Sequence, residues 1–253
     1  MTEKALPPPK IASREEWLVA RKAFFLREKA ITHELDKLRA ERRRLPWVKV
    51  EKLYVFEGPE GKCTLSDLFQ HHDQLAVYHF MLTPGSEHVC KGCSFVADHI
   101  DAARQHFDGA DLSFAAISRA SFDRIVQVKR VLGWTFPWVS SHDTNFNYDF
   151  GASFKKEDIA AGRAIFNYGT PIKNEDMMGA SIFVRNKSGE VFHTYSTFAR
   201  GIENLMGTFM WLDLTPGGRF QFDDHRSRLS KDGLRDSLRD DRIARAESGH
   251  VTR

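Results

Sequence analysis

Three patterns in succession between Leu75 and Ile100 constrain this chain more than any other feature. Leu75-Ala76-Val77-Tyr78-His79-Phe80-Met81-Leu82 is a continuous apolar run of the kind a strand buried on both faces presents. Thr83-Pro84-Gly85-Ser86-Glu87-His88-Val89 is a turn-rich loop. Cys90-Lys91-Gly92-Cys93 then opens a helical pattern in which Val96, Ile100, Ala103 and Phe107 share one face. A buried strand handing over to an amphipathic helix commits the chain to a layered α/β architecture. It also sets two cysteines where a helix begins. The first helical turn has unpaired N–H groups and the positive end of the helix dipole, and both favour a thiolate over a thiol. Cys90 is therefore expected to have a lowered pKa, with Lys91 adding positive charge. Cys93, one turn on, is expected to be more enclosed. A thiolate beside a second thiol can attack a disulfide and then be released by its neighbour. In that reading His88 tunes the thiolate or carries a proton.

Two other readings of the pair stand beside this one. The spacing fits half of a zinc site, and it fits two ordinary small buried residues. A closed zinc site needs two more ligands. The only other cysteine is Cys63, and there is no second Cys-x-x-Cys. His79, His88 and His99 lie close in sequence, so Cys90, Cys93 and a histidine such as His88 form the alternative metal set, with copper(I) or zinc favoured by thiolate softness. Cys63 reads as a small buried residue, or as a third redox partner.

At 253 residues the chain can bury one sizeable core, with appendages. A net charge of +3 does not by itself imply a nucleic-acid partner. Three cysteines are too few for a secreted disulfide scaffold. Residues 1–10 contain no apolar core of signal-peptide type, and no apolar run approaches the roughly 18 residues of a membrane span. The expected setting is the reducing cytoplasm, where such a pair is catalytic or metal-binding rather than a permanent bridge. The chain has no Gly-rich phosphate loop or dinucleotide fingerprint, so no cofactor is expected.

In chain order, Pro7, Pro8 and Pro9 make residues 1–12 an extended arm. Ser13 caps a helix that carries Glu15 and Glu16 in its first turn and runs to about Leu45, before Pro46. Trp17, Phe24, Ile31, Leu38 and Leu45 recur every seven residues, and Leu35 joins the stripe, while Arg21 and Glu28 interrupt it. The helix 13–45 is either packed along its own domain or a homodimer arm. Arg42-Arg43-Arg44 reads as a solvated helix end. Val48–Val50 and Leu53–Phe56 are strand material, Gly58–Gly61 is a turn, and Thr64–Phe69 is a short helix capped by Thr64 or Ser66. After the cysteine helix, ended by Gly109, come a strand at Leu112–Ser118, a helix from Ser121 to about Trp134 and a short strand at Pro137–Ser141. That order implies parallel strands with right-handed crossovers.

Residues 142–151 mix aromatics with short polar residues and read as an ordered loop or one wall of a cleft. An insertion of about 142–179 follows, with a short helix near Lys156–Ala164. Ser181–Arg185 and Glu190–Tyr195 flank Asn186-Lys187-Ser188-Gly189, a hairpin signal. Gly201–Leu214 reads as a closing helix. The domain reading is thus an arm and long helix at 1–47, an α/β domain at 48–220 and a charged tail at 221–253.

Strand, Cys-x-x-Cys helix, strand, helix, hairpin and closing helix is the order of a thioredoxin-like fold. On Tyr78-His79-Phe80-Met81, Cys90-x-x-Cys93-Ser94-Phe95, Asp98-His99, Val191-Phe192-His193-Thr194-Tyr195-Ser196, Ala199-Arg200-Gly201 and Leu212-Asp213-Leu214-Thr215-Pro216, the chain resembles a bacterial domain-of-unknown-function family. That family is described as predicted thioredoxin-like dithiol-disulfide oxidoreductases. The helix end Ala40–Trp47 matches as well, so the likeness spans roughly residues 10–220. It implies a central mixed sheet flanked by helices, and thiol chemistry on a thiol or disulfide substrate, protein or small molecule. Thioredoxins carry Trp before the first cysteine and Gly-Pro between the two, where this chain has Val89 and Lys91-Gly92. Their cis-proline falls near Ala180-Ser181 here, and the closest upstream proline is Pro171. The chain also resembles peroxiredoxins, through Gly61–Phe69 and the strand entering the cysteine loop. Against their motif, Pro84 to Cys90 is one residue short and lacks the hydroxyl in register. Peroxidase activity is not signalled.

Overall fold

The computed structural model describes residues 10–219, so the prolines of the arm and the charged tail at 221–253 fall outside the described residues. The chain divides into two compact units, residues 1–46 and 47–253. The first contains one helix, α1 (Arg14–Arg42). A capping box starts it. The Glu16 N–H donates to Ser13 Oγ at 3.2 Å, and the Ser13 N–H donates back to Glu16 Oε2 at 2.9 Å. It stops at Arg42, earlier than the expected Leu45, with Arg43 as C-cap. Pro46 bars the α region to the residue before it, and the last turn unwinds ahead of that point.

The second unit is built on one sheet. Its strands are β1 (Val48–Lys49), β2 (Val55–Gly58), β3 (Gly61–Thr64), β4 (Gln74–His79), β5 (Leu112–Ser118), β6 (Trp138–Ser140), β9 (Gly179–Arg185) and β10 (Val191–Phe198). The spatial order is β1-β10-β9-β4-β5-β6-β2-β3. β4, β5 and β6 are parallel, as the alternating strand and helix pattern implies. α2 (Lys91–Ala103) connects β4 to β5, and α3 (Phe122–Leu132) connects β5 to β6. β9 runs antiparallel to β4, and the β9–β10 hairpin extends the sheet. This is a thioredoxin-like fold.

Strand alternation divides the core. Tyr78 and Phe80 join the cluster with Val96 and Ile100 of α2, Ile125 and Val128 of α3, and Trp138. Leu75 and Val77 join the cluster of the opposite face with Phe56, Phe69, Phe146 and Phe183. α3 ends in a left-handed Gly133, φ 70°, whose N–H donates to Lys129 O.

Three sequence expectations are revised. The 64–69 helix is only a 3-10 turn, Asp67–Phe69. Ser66 makes no cap, and the Asp67 carboxylate instead accepts from the Thr64 N–H at 2.7 Å and its hydroxyl at 2.8 Å. The closing helix is broken into a 3-10 segment, Ala199–Leu205, and α6 (Gly207–Leu212), because Met206 is extended. The 142–151 stretch contains a short helix, α4 (Phe146–Asp149). Phe146 is fully buried in the second cluster, and Tyr148 and Asp149 bind outward partners, so hydrogen bonding replaces periodicity. The insertion continues through α5 (Lys156–Ala160) and the small hairpin β7 (Ile165–Phe166) and β8 (Thr170–Pro171).

Candidate dithiol site

Beyond β4 the chain stays tied to β5. The Phe80 N–H donates to Ile117 O, and the Ala120 N–H to Leu82 O, both at 2.9 Å. The loop to the cysteines is then held from two sides. Thr83 Oγ1 donates to Asp176 Oδ2 at 2.6 Å. Arg124 of α3 donates from Nη2 to Glu87 O at 3.0 Å. Asp176 is buried and also accepts two bonds from Arg119, at 2.7 and 2.9 Å, and one from Ser153 Oγ at 2.6 Å. Arg119 Nη1 donates to Tyr148 OH at 2.6 Å. A bidentate buried pair thus fastens the end of β5, the insertion and the cysteine loop together.

Cys90 is the N-cap of α2 and is half-buried. Its sulfur accepts the Cys93 N–H at 3.3 Å, filling the capping role usually taken by an oxygen. Ser94 donates its hydroxyl to Cys90 O at 2.9 Å, fixing the first turn. The Met81 Sδ lies 3.9 Å from the Cys90 Sγ. Cys93 is completely buried, as the spacing predicts for the second cysteine, and its sulfur accepts the Met81 N–H at 3.4 Å. Burial pushes the Cys93 thiol well above the usual range, and the neighbouring Cys90 pushes it the same way. Beneath it lies Tyr78, also fully buried. Its hydroxyl has no conventional hydrogen-bond partner and faces the Cys93 sulfur. Burial, then the two cysteines, raise the Tyr78 phenol well above its usual value, so it stays protonated.

Lys91 follows Cys90 as the first helical residue and is half-buried. His88 is exposed on the loop, and its backbone N–H donates to Ser86 Oγ at 3.2 Å. The metal set of Cys90, Cys93 and His88 is not assembled. Among the described residues no group of three or more His, Cys, Asp or Glu side chains converges. The other two histidines are committed elsewhere. Strand alternation turns His79 to the opposite face of the sheet, where its Nε2 lies 2.9 Å from Ser181 Oγ. His99 Nδ1 donates to Phe95 O at 2.7 Å, leaving Nε2 to accept the Thr208 N–H at 3.3 Å. Cys63 packs against the second cluster, across the sheet from Cys90 and Cys93, and burial followed by Asp67 raises its thiol pKa. That location removes it as a third partner of the pair.

Sequence reasoning passed over Met81, the Arg119–Asp176 pair and any role for the Tyr78 hydroxyl. Alternation along β4 carries a signal for Tyr78, which shares the face of Phe80 that α2 must cover. On the other face, His193 Nε2 lies 2.7 Å from Ser196 Oγ, which lies 2.8 Å from Ser181 Oγ. This chain links His79 to the floor of a cavity of about 600 Å³ bordered by Tyr54, Asp149, Phe150, Tyr168 and Phe198.

The fold and the paired sulfurs define a thioredoxin-like protein of the dithiol type in sequence. Residues 6–233 match the bacterial proteins of unknown function grouped as DUF899, and the chain belongs to that family. Solved structures with a similar chain path include peroxidoxin BcpB of Mycobacterium tuberculosis, at 13% identity and TM-score 0.43, covering 65% of this chain and 95% of that one. Peroxiredoxin Q of Xanthomonas campestris is similar at 18% identity and TM-score 0.43, covering 63% and 95%. At that identity the likeness assigns no residue roles. No curated protein matches the chain.

Proposed function

We propose that the protein is a thiol-disulfide oxidoreductase in which Cys90 attacks and Cys93 resolves. The observation that carries this reading is the asymmetry of the pair. The half-buried Cys90 sulfur receives a backbone N–H, while the Cys93 sulfur one turn on is sealed from solvent. A hydrogen bond to the charged form favours a thiolate at Cys90. The Cys90 thiolate attacks one sulfur of a substrate disulfide, forming a mixed disulfide and expelling the other sulfur as a thiolate. The Cys93 thiol loses its proton to the departing side and attacks the Cys90 sulfur. That closes the Cys90–Cys93 disulfide and releases the second substrate thiol. The substrate gains two electrons and the protein dithiol loses them. A thiol, protein or low-molecular-weight, returns them. Lys91 supplies positive charge beside Cys90, and His88 on the exposed loop can carry the proton of the leaving thiol. The chemistry suits a compartment that keeps thiols reduced, which points to the cytoplasm. In the described residues no helix is long and apolar enough to cross a membrane.

Alkylation of the reduced protein across a pH series, read by mass spectrometry with metal content assayed on the same sample, tests this. The expected result is metal-free protein in which Cys90 alkylates at lower pH than Cys93 and a reversible Cys90–Cys93 bond forms on oxidation. Cysteines inert to alkylation and oxidation, with or without bound metal, would refute it.

A further inference from the structure

We propose that α1 pairs with α1 of a second copy of this chain, antiparallel, with Arg21 of each copy meeting the partner's Glu28. The helix has 29 residues, about 44 Å at 1.5 Å per residue, and buries none of them. Trp17, Phe24, Ile31 and Leu38 are 52, 52, 61 and 51% exposed along one stripe. Helices in water owe most of their stability to packing an apolar face, and this face is unpacked within one chain. A contiguous stripe of large apolar residues marks an interaction surface.

The two charges inside the stripe select the occupant. Arg21 and Glu28 are one heptad apart and paired in the single chain, Nη1 to Oε2 2.7 Å, with the Arg21 guanidinium 6.0 Å from the ring centres of Phe24 and Phe25. A parallel, in-register pair sets Arg21 against Arg21 and Glu28 against Glu28. An antiparallel pair centred between Phe24 and Phe25 sets each Arg21 opposite the partner's Glu28, twice, by the two-fold axis. The same register sets Leu18 opposite the partner's Ile31 and Phe24 opposite the partner's Phe25. It also opposes the two helix dipoles. A charged pair buried in a seam fixes register and orientation, the best-attested use of such residues.

Sedimentation equilibrium on the full chain tests this. The wild type is expected to be dimeric at micromolar concentration. Arg21→Glu and Glu28→Arg, each with unchanged circular dichroism, should each raise the dimer dissociation constant about tenfold or more, because each sets like charges opposite. An equimolar mixture of the two variants should recover the dimer. Cross-linking of mixed ¹⁴N and ¹⁵N chains should join Lys22 to the partner's Lys29. A monomeric wild type, a dimer indifferent to both charge reversals, or Lys22–Lys22 links in place of Lys22–Lys29 would overturn the proposal. So would a monomer that sediments with phospholipid vesicles, which would make the stripe a membrane-surface face. None of these outcomes touches the cysteine chemistry, so the two proposals fail separately.

Discussion

The backbone N–H of Cys93 points at the sulfur of Cys90 across 3.3 Å, while the Cys93 side chain faces inward against Tyr78. One residue thus supports its neighbour's charge with its main chain and withholds its own sulfur from solvent. The roles of the two cysteines follow from this division.

Cys90→Ser should abolish disulfide exchange, since no other half-exposed sulfur caps α2. Cys93→Ser should retain the first attack and stall at the mixed disulfide. Intact-protein mass spectrometry after mixing with a disulfide substrate reads both. A Cys93→Ser protein that turns over normally would assign release to another thiol.

Tyr78→Phe removes a buried hydroxyl that has no conventional partner. Stability is expected to change by no more than about 1 kcal/mol, because no formed hydrogen bond is lost. Release from the mixed disulfide should slow, with the initial attack unchanged, since only Cys93 faces the phenol. Rapid-quench kinetics separate the two steps, and an unchanged release rate would leave Tyr78 as packing alone.

Asp176→Ala leaves the Arg119 guanidinium buried without its bidentate partner and frees Thr83 and Ser153. Breaking a buried pair from one side costs about 3–5 kcal/mol. Urea unfolding should show that loss, and loosening of the 83–90 loop should slow Cys90 attack as well. A loss under about 1 kcal/mol would mean the cluster is well hydrated.

His79 sets an acid limit. Burial first, and the neighbouring His193 second, lower its pKa from 6.5 to about 3. The unfolded chain binds the proton below about pH 6.5, whereas the folded chain refuses it until about pH 3. Stability is therefore fully present above pH 6.5 and declines as pH falls toward 3, by up to about 1.4 kcal/mol per unit from this group. The difference between wild type and His79→Asn in urea unfolding from pH 7 to pH 4 isolates the effect from the carboxylates. Parallel curves for the two proteins would rule out His79 as its source.

Local physics made much of the molecule legible. The apolar run at Leu75–Leu82, the α2 face of Val96 and Ile100, and the hairpin turn at 186–189 each carry a period or turn chemistry that a short window detects. Ser13 and Glu16 likewise announce the start of α1. The Cys-x-x-Cys spacing and its position after a buried strand were enough to expect one shielded and one accessible sulfur, and burial separates them in that way.

The histidines show where such reading stops. His79, His88 and His99 are near the cysteines in sequence, yet one lies across the sheet, one on an exposed loop and one against Thr208. The closing helix broke at Met206 although its apolar spacing ran through unbroken.

By itself the sequence determined the order of elements, the face each helix buries and the placement of two cysteines at a helix start, because these depend on residues within a turn or two of one another. Only the tertiary structure decided that Asp176 would clasp Arg119, 57 positions away, together with Thr83, and that Ser181 and Ser196 would link His79 to His193. A buried polar group must find its partner wherever the fold brings one. Such partners leave no period in the chain.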